Sequence, residues 1–383
     1  MREDASVSSL FGMKRGVCGT DTILRFLRSV PEDGGRRWLA EAARPLWSAL
    51  PEGFILDWDS TVMTKYGHQE GSEIGYNPQK HGRASQHPLL AVAAGTRLCP
   101  YYRWRGGKSA SSSEWIEAME ECLEWLGGRK PWLNRADLGF AHEEILAWHE
   151  ASPERPKYLM KLKMTRNVRR AIPSIAEDAW LGSSSHGVLQ VAETEILLHG
   201  WSKPRRIVVG RRLRGVIPAS DAGAFWDEAK HEFEAYVTDL TEKEASAWQI
   251  VELYRKRADA ENLFDELKSQ WGFAGFCSSK KEVTALAARL QLLTYNIWCL
   301  FLRLMEPSRH VEAFQGRRWF LLIAARLVER KGRKELQISA TGSWWRDLSA
   351  GYKRLCDWLK LTASQLEFHF LSPPVFPCQP EPR

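Results

Sequence analysis

The sequence predicts a mixed α/β fold, a sheet of parallel and antiparallel strands flanked by helices, and three observations carry that expectation. The apolar period changes from helical to two at residue 54. The elements that follow run strand, strand, strand, helix, strand, helix, strand. Neither a Gly-rich dinucleotide loop nor a phosphate-loop lysine occurs, which sets nucleotide-cofactor enzymes aside.

The elements follow in order. Residues 1–53 read as a helical N-terminal segment, with apolar residues three or four apart over Thr20–Val30 and Trp38–Leu50, closed by Pro51 and Gly53. In FILDWDSTV, residues 54–62, alternation places Ile55, Asp57 and Asp59 on one strand face and Phe54, Leu56 and Trp58 on the other. Residues 87–106 read as two strands and Ser111–Leu126 as a capped helix. Trp132–Asp137 follows as a strand, His142–His149 as a helix and residues 158–164 as a strand, completing a first core part, 54–164. Residues 165–242 carry short strands at Gly187–Ala192, Glu195–His199 and Arg206–Val209 between Gly, Ser and Pro, and read as a β-rich insertion. Helical periodicity returns over Lys243–Trp271 and Glu282–Met305, a second core part at 243–305. Further helices rich in Arg and Trp are expected over 306–371, then a disordered tail at 372–383.

At 383 residues, with 44% hydrophobic and 26% charged content, the chain is neither a disordered polymer nor a disulfide miniprotein. The apolar run Leu290–Leu302 is thirteen residues, short of the roughly 20 of a membrane span. No signal-peptide core occurs at the N-terminus, so the expectation is a soluble cytoplasmic protein with no membrane partner. The seven cysteines are scattered without a CxxC, against a disulfide framework or structural zinc. Charge is uneven: Glu154–Arg214 holds thirteen Lys or Arg against five Asp or Glu, a local +8 in a chain of +7. Such a block is either the footprint of a polyanion, nucleic acid first, or a solvated basic face.

Chemistry is sought among carboxylates and cations. On a helix over 243–271, Tyr254, Arg257, Glu261 and Lys268 fall within about 60° of one another, on one side. That side can hold an acid beside a phosphodiester, or it can be an exposed helix laced with ion pairs such as Glu261 with Arg257. Asp59 on the first strand and Asp137 at the end of WLNRAD are carboxylates at strand ends, where Mg²⁺, a hard cation, finds oxygen ligands.

These residues also carry a resemblance. The string 57–90, DWDSTVMTKYGHQEGSEIGYNPQKHGRASQHPLL, with NRADLGF at 134–140 and the Y-R-E-K set at 254, 257, 261 and 268, resembles the DDE transposases of bacterial insertion sequences, the group with a Y-R-E-K signature. The likeness extends through YLMKLKMTRNVRR, WSKPRRIVVGRR and YVTDL, covering roughly 54–305. It implies an RNase H-like catalytic core in which the insertion at 165–242 contacts transposon-end DNA. Asp59, Asp137 and Glu261 would be the catalytic, metal-binding triad for two Mg²⁺ ions, with Mn²⁺ a possible substitute. Tyr254, Arg257 and Lys268 would position DNA around the acid, and Asp57, on the same strand face as Asp59, would be a rival or a supporting carboxylate, Asp59 being preferred because DST is the matching piece. In the basic block, Arg166, Arg169, Arg205 and Arg206 are the expected DNA contacts, and Trp201 is placed to stack on a base.

The activity implied is cut-and-paste transposition on double-stranded DNA, both element ends and target, by a homodimer on DNA. Two departures point to the alternative of a catalytically inactive, truncated DNA-binding derivative. Leu138 stands after the second aspartate where relatives carry a small residue, and 58 residues precede Asp59 where relatives generally carry more.

Overall fold

The structure, a computed structural model, describes residues 18–182, 189–217, 228–273, 275, 278–330, 332–338 and 344–365. The chain divides into two compact units, one of Leu50–Thr64 and Glu73–Leu263, the other of Met1–Ala49, Lys65–Ser72 and Phe264–Arg383.

The first unit is built on a nine-stranded sheet. In chain order its elements are β1 (Ile55–Ser60), β2 (Leu89–Ala93), β3 (Leu98–Arg103), α1 (Trp115–Trp125), β4 (Leu133–Ala136), α2 (Glu143–Glu150), β5 (Lys157–Lys161), α3 (Arg166–Ala171), β6 (Leu181–Gly182), β7 (Leu189–Ile196), β8 (Arg205–Ile217), β9 (Glu228–Thr238), α4 (Ala247–Arg255) and the start of α5 (Ala258–Gln270). The sheet order is β3-β2-β1-β4-β5-β9-β8-β7-β6. Strands β1 to β3 form an antiparallel meander, and β4 and β5 add parallel to β1. The parallel step from β4 to β5 uses α2 as its crossover helix. The mixed α/β fold read from the sequence is the fold found, a large mixed sheet flanked by helices, and the order β3-β2-β1-β4-β5 is consistent with an RNase H-like core.

Alternation explains β1. Leu56 and Trp58 are fully buried on one face, where Trp58 meets Tyr101 of β3 and Trp115 of α1 at ring-centroid distances of 5.8 and 5.6 Å. Helix α1 covers that face with Ala118, Met119 and Cys122. The opposite face of the sheet carries a second cluster, in which Leu133, Leu159, Val191, Val208 and Tyr236 pack under Ile250, Val251 and Tyr254 of α4. A three-stranded sheet, Met63–Thr64, Ala84–Gln86 and Glu73–Ile74, stands beyond the end of β1.

The strands of the β-rich stretch join the core sheet: β9 pairs with β5 through Val237 and Met160, so β6 to β9 extend it. Two expectations are corrected here. Glu195–His199 is not a strand of its own, because Glu195 and Ile196 end β7 and the chain turns before β8. The helix expected over 243–271 is two helices. Ser246 caps α4 with a reciprocal capping box to Gln249, and the run breaks at Lys256 and Arg257 before α5.

In the second unit Lys281–Met305 is a 25-residue helix, long and apolar enough in length and composition to cross a membrane. Two thirds of its most apolar window is buried in protein, so the helix reads as a core element. Leu286 and Ala287 meet Leu27 and Leu39 of the helices Thr20–Ser29 and Glu32–Ala43, and Trp298, Leu302 and Met305 meet Phe320 and Leu348. Gly35 permits the close approach, since a Cβ there would lie 2.8 Å from Leu286. The region after Pro307 is not all helical. A hairpin, Ala325–Arg330 with Arg333–Ile338, turns at Gly332 (φ +75°), between the helices Ala313–Phe320 and Trp344–Gln365. The expected tail at 372–383 lies outside the described residues.

Candidate active site

The parallel pairing of β1 with β4 sets Asp57 beside Arg135 and Trp58 beside Ala136. The next residue along is Asp59 within β1 and Asp137 just past β4, so the register brings the two carboxylates to the same end of adjacent strands, which in a sheet lie about 4.8 Å apart. Their proximity is electrostatic as well as topological. Burial pushes the Asp59 carboxyl up to about 6, and the charge of Asp137 raises it while that of Arg257 lowers it.

Each carboxylate is oriented by its own backbone. Asp59 Oδ1 accepts the Ser60 N–H at 2.8 Å, and Asp137 Oδ1 accepts the Gly139 N–H at 2.8 Å. Gly139 must lack a side chain, because a Cβ there would lie 2.9 Å from Ser111 Cβ and 3.2 Å from Asp137 Oδ1. Ser111 in turn sits 3.0 Å from Ser60, hydroxyl to hydroxyl. Leu138, the residue after the second aspartate, is 47% exposed.

Arg257 stands at the break between α4 and α5 and is 5% exposed. Its Nη2 lies 2.8 Å from Asp59 Oδ2 and donates to the Trp58 carbonyl at 3.2 Å, while its buried Nε has no hydrogen-bond partner among the described residues. Tyr254, one turn earlier, packs against Tyr236 with ring centroids 4.7 Å apart and planes tilted by 45°, and its phenol is raised to about 12 by burial, against the lowering effect of Arg257.

Asp57 has a different task from Asp59. It is 2% exposed and forms a two-pronged ion pair with Arg135, Nε to Oδ1 at 2.6 Å and Nη2 to Oδ2 at 2.7 Å. Arg135 also donates to the Leu253 carbonyl, tying β1 and β4 to the end of α4. Burial raises the Asp57 carboxyl and Arg135 pulls it back. This fork holds Asp57 inside the sheet, two residues short of the strand end that carries Asp59, which suits a supporting residue.

The structure does not bring the other expected residues to this pair. Glu261 lies in the first turn of α5 and is exposed. Among the described residues no three His, Cys, Asp or Glu side chains converge as a metal cluster. Lys268 is in the last turn of α5 and belongs to the second unit. In the basic block, Arg205 is buried and bound to Glu143 and Glu150 at 2.5 and 2.8 Å, with its guanidinium 4.9 Å over the ring of Trp201. Arg206 is held by Glu193 and by the carbonyls of Leu240 and Ala245. These two arginines stitch the sheet together. Arg166 and Arg169 on α3 are exposed.

Two further residues shape the site without having been singled out from the sequence. Arg105, 2% exposed, donates to the carbonyls of His87, Ala110, Ser111 and Ser113 and so fixes the loop that carries Ser111. Arg97 pairs with Asp259 at 2.5 Å, fastening the start of α5 to the β2–β3 turn. Their signal was present only as isolated cations in RLCPYYRWRG, with nothing in spacing to name their partners.

Asp59 and Asp137 thus stand at the same end of the adjacent strands β1 and β4 of a mixed sheet. The chain matches the family described as transposase DDE domain, group 1, over residues 1–357, and it belongs to that family. A solved structure described as the piggyBac transposase synaptic complex with hairpin DNA aligns with 82% of this chain and 58% of its own, at 11% identity and a TM-score of 0.39. This chain therefore spans less than two thirds of that transposase. No curated protein sequence is significantly similar to it.

Proposed function

We propose that the protein is an insertion-sequence transposase of the Y-R-E-K group that cuts DNA at element ends and joins the freed 3′-hydroxyls to target DNA, using divalent metal ions, Mg²⁺ first. The observation that carries the reading is the Asp59–Asp137 pair, set side by side by strand register in a chain of the DDE family.

The donor set fits a hard cation. Asp59 and Asp137 supply carboxylate oxygens only, each already oriented by a backbone N–H, and their mutual repulsion is what a cation between them relieves. Divalent ions at such a pair supply activation of the attacking oxygen and stabilisation of the leaving one. The protein's own residues do the rest. Arg257 anchors Asp59 to the strand end, and Tyr254, protonated at neutral pH, offers a hydroxyl donor to a phosphate oxygen. Glu261 is the proposed third acid, Lys268 a DNA contact, and the protein acts as a homodimer on two DNA ends in the bacterial cytoplasm.

A second reading is a DNA-binding derivative without activity. The observation favouring it is that Glu261 is exposed and not gathered with the aspartates. An assay of cleavage and joining on oligonucleotides bearing the element's ends, with and without Mg²⁺, separates the two. The transposase reading expects metal-dependent products that fall about a thousandfold or more in Asp59→Asn and Asp137→Asn. DNA binding with no product under any divalent ion would leave the second reading.

A further inference from the structure

The segment between β1 and β2 supports more than the carboxylates. Gly75 sits so close to the loop after β3 that a Cβ on it would fall 1.9 Å from the Gly107 carbonyl oxygen. Gly107 is as tightly enclosed, by the carbonyls of Glu73 and Ser85. This interlock fixes the backbone while throwing the flanking side chains outward: Ile74 is 61% exposed and Tyr76 is 73% exposed.

The loop that follows is equally fixed. Asn77, 3% exposed, donates from Nδ2 to Thr64 Oγ1 at 2.9 Å and accepts the Lys80 N–H at 3.0 Å. The Arg83 N–H donates to the Lys80 carbonyl at 3.1 Å. Between Ile74 and Gln86 the charged residues are Lys80 and Arg83, both exposed, with no acid among them. A large aromatic side chain held out on a rigid backbone with charge of one sign is the pairing that unpaired polynucleotide selects, because bases stack on the ring and phosphates meet the cations. A protein partner would not require this single sign.

The loop is also linked to the carboxylates by contact. Gly75 abuts Gly107, the same loop carries Ser111, Ser111 meets Ser60, and the Ser60 N–H holds Asp59. We propose that residues 74–83 contact the DNA strand presented to the Asp59–Asp137 pair, with Tyr76 stacking on an unpaired base and Lys80 and Arg83 facing its phosphates. The proposal rests on the transposase reading above and names a contact that the acids and the Y-R-E-K residues do not supply.

The test uses the full chain without divalent metal, so that binding is read apart from chemistry. Two probes are compared: a blunt duplex, and the same duplex with an unpaired tail carrying 2-aminopurine. Tyr76→Ala is expected to weaken tailed binding about tenfold or more and to remove the quenching of 2-aminopurine. Tyr76→Phe should stay within about twofold of wild type, and blunt-duplex affinity should hardly move. Lys80→Ala and Arg83→Ala should each lower the salt slope by about 0.7 to 0.9. If the wild type binds tailed DNA and Tyr76→Ala binds it equally, this proposal fails alone. If neither probe binds the wild type, the transposase reading fails with it. If Tyr76→Ala leaves DNA binding intact but changes the oligomeric state in sedimentation, the surface is a protein contact and the proposal is overturned.

Discussion

Arg257 places Nη2 2.8 Å from Asp59 Oδ2, with the two side chains only 6% and 18% exposed. A residue of the expected DNA-positioning signature is thereby the built-in counter-cation of an expected metal ligand. Breaking a buried pair by removing one partner costs about 3–5 kcal/mol, because the remaining charge is left uncompensated. Arg257→Met should show that loss in urea denaturation at pH 8, where Asp59 is ionised, and a much smaller one at pH 4.5, where it is protonated. Equal losses at both values would mean that the ion pair is not what Arg257 contributes.

The pH dependence of the metal-free protein has a definite sign. The Asp59 carboxyl sits at about 6 in the folded chain against 3.8 for an ordinary aspartate. Between those values the folded state holds a proton that the unfolded state has released. Stability from this group is therefore greatest below about pH 4 and falls as pH rises through about 6, by roughly 3 kcal/mol in all. Asp59→Asn should flatten that slope, read by denaturation in EDTA from pH 3.5 to 7.5. At pH 7.5 added Mg²⁺ should raise the Tm of wild type and leave Asp59→Asn unmoved, since a ligand of the native state stabilises by mass action.

Asp57 and Arg135 separate support from catalysis. Arg135→Met strands a carboxylate that is 2% exposed, and stability should drop by about 3–5 kcal/mol at neutral pH. The double variant Asp57→Asn with Arg135→Met should recover much of that loss, since the stranded charge is then absent. A double variant no more stable than Arg135→Met would assign the loss to packing instead.

The basic block divides by partner. Arg166→Ala and Arg169→Ala, both at exposed positions, should each reduce the salt slope of DNA binding by about 0.9 with little change in Tm. Arg205→Met should do the reverse, lowering stability and leaving the slope alone, because its guanidinium is held by Glu143 and Glu150. A salt-dependent binding series on the three variants checks this. A reduced slope for Arg205→Met would show that it reaches phosphate after all.

Which of these features could be read from the sequence follows from their range. Alternation in ILDWDS separated the face of Asp57 and Asp59 from that of Leu56 and Trp58, and the strand-and-helix order gave the mixed sheet, because both signals are local. Strand register is not local. NRAD contains Arg135 two residues before Asp137, yet only the parallel pairing with β1 shows that Arg135 belongs to Asp57. The same holds for the cations. Charge counting over Glu154–Arg214 reports a local +8 but is blind to acids outside that window, and Glu143, Glu150 and Glu232 neutralise Arg205 and Arg214 from there. The single helix expected over 243–271 failed for a related reason. The apolar period persists through Lys256 and Arg257, whereas the backbone breaks where Arg257 turns inward to Asp59.

Glu261 offers the sharpest division between an active enzyme and an inert relative. It is exposed in the first turn of α5, so Glu261→Gln should change the free energy of unfolding by no more than about 0.5 kcal/mol. If it is the third acid, the same substitution removes metal-dependent cleavage while binding of element-end DNA in EDTA persists. The start of α5 is fastened by Asp259 to Arg97, so loosening that anchor with Asp259→Asn should lower cleavage less than Glu261→Gln does, through misplacement of Glu261. Cleavage by Glu261→Gln at the wild-type rate would remove Glu261 from the site and leave the Asp59–Asp137 pair to be completed by another acid.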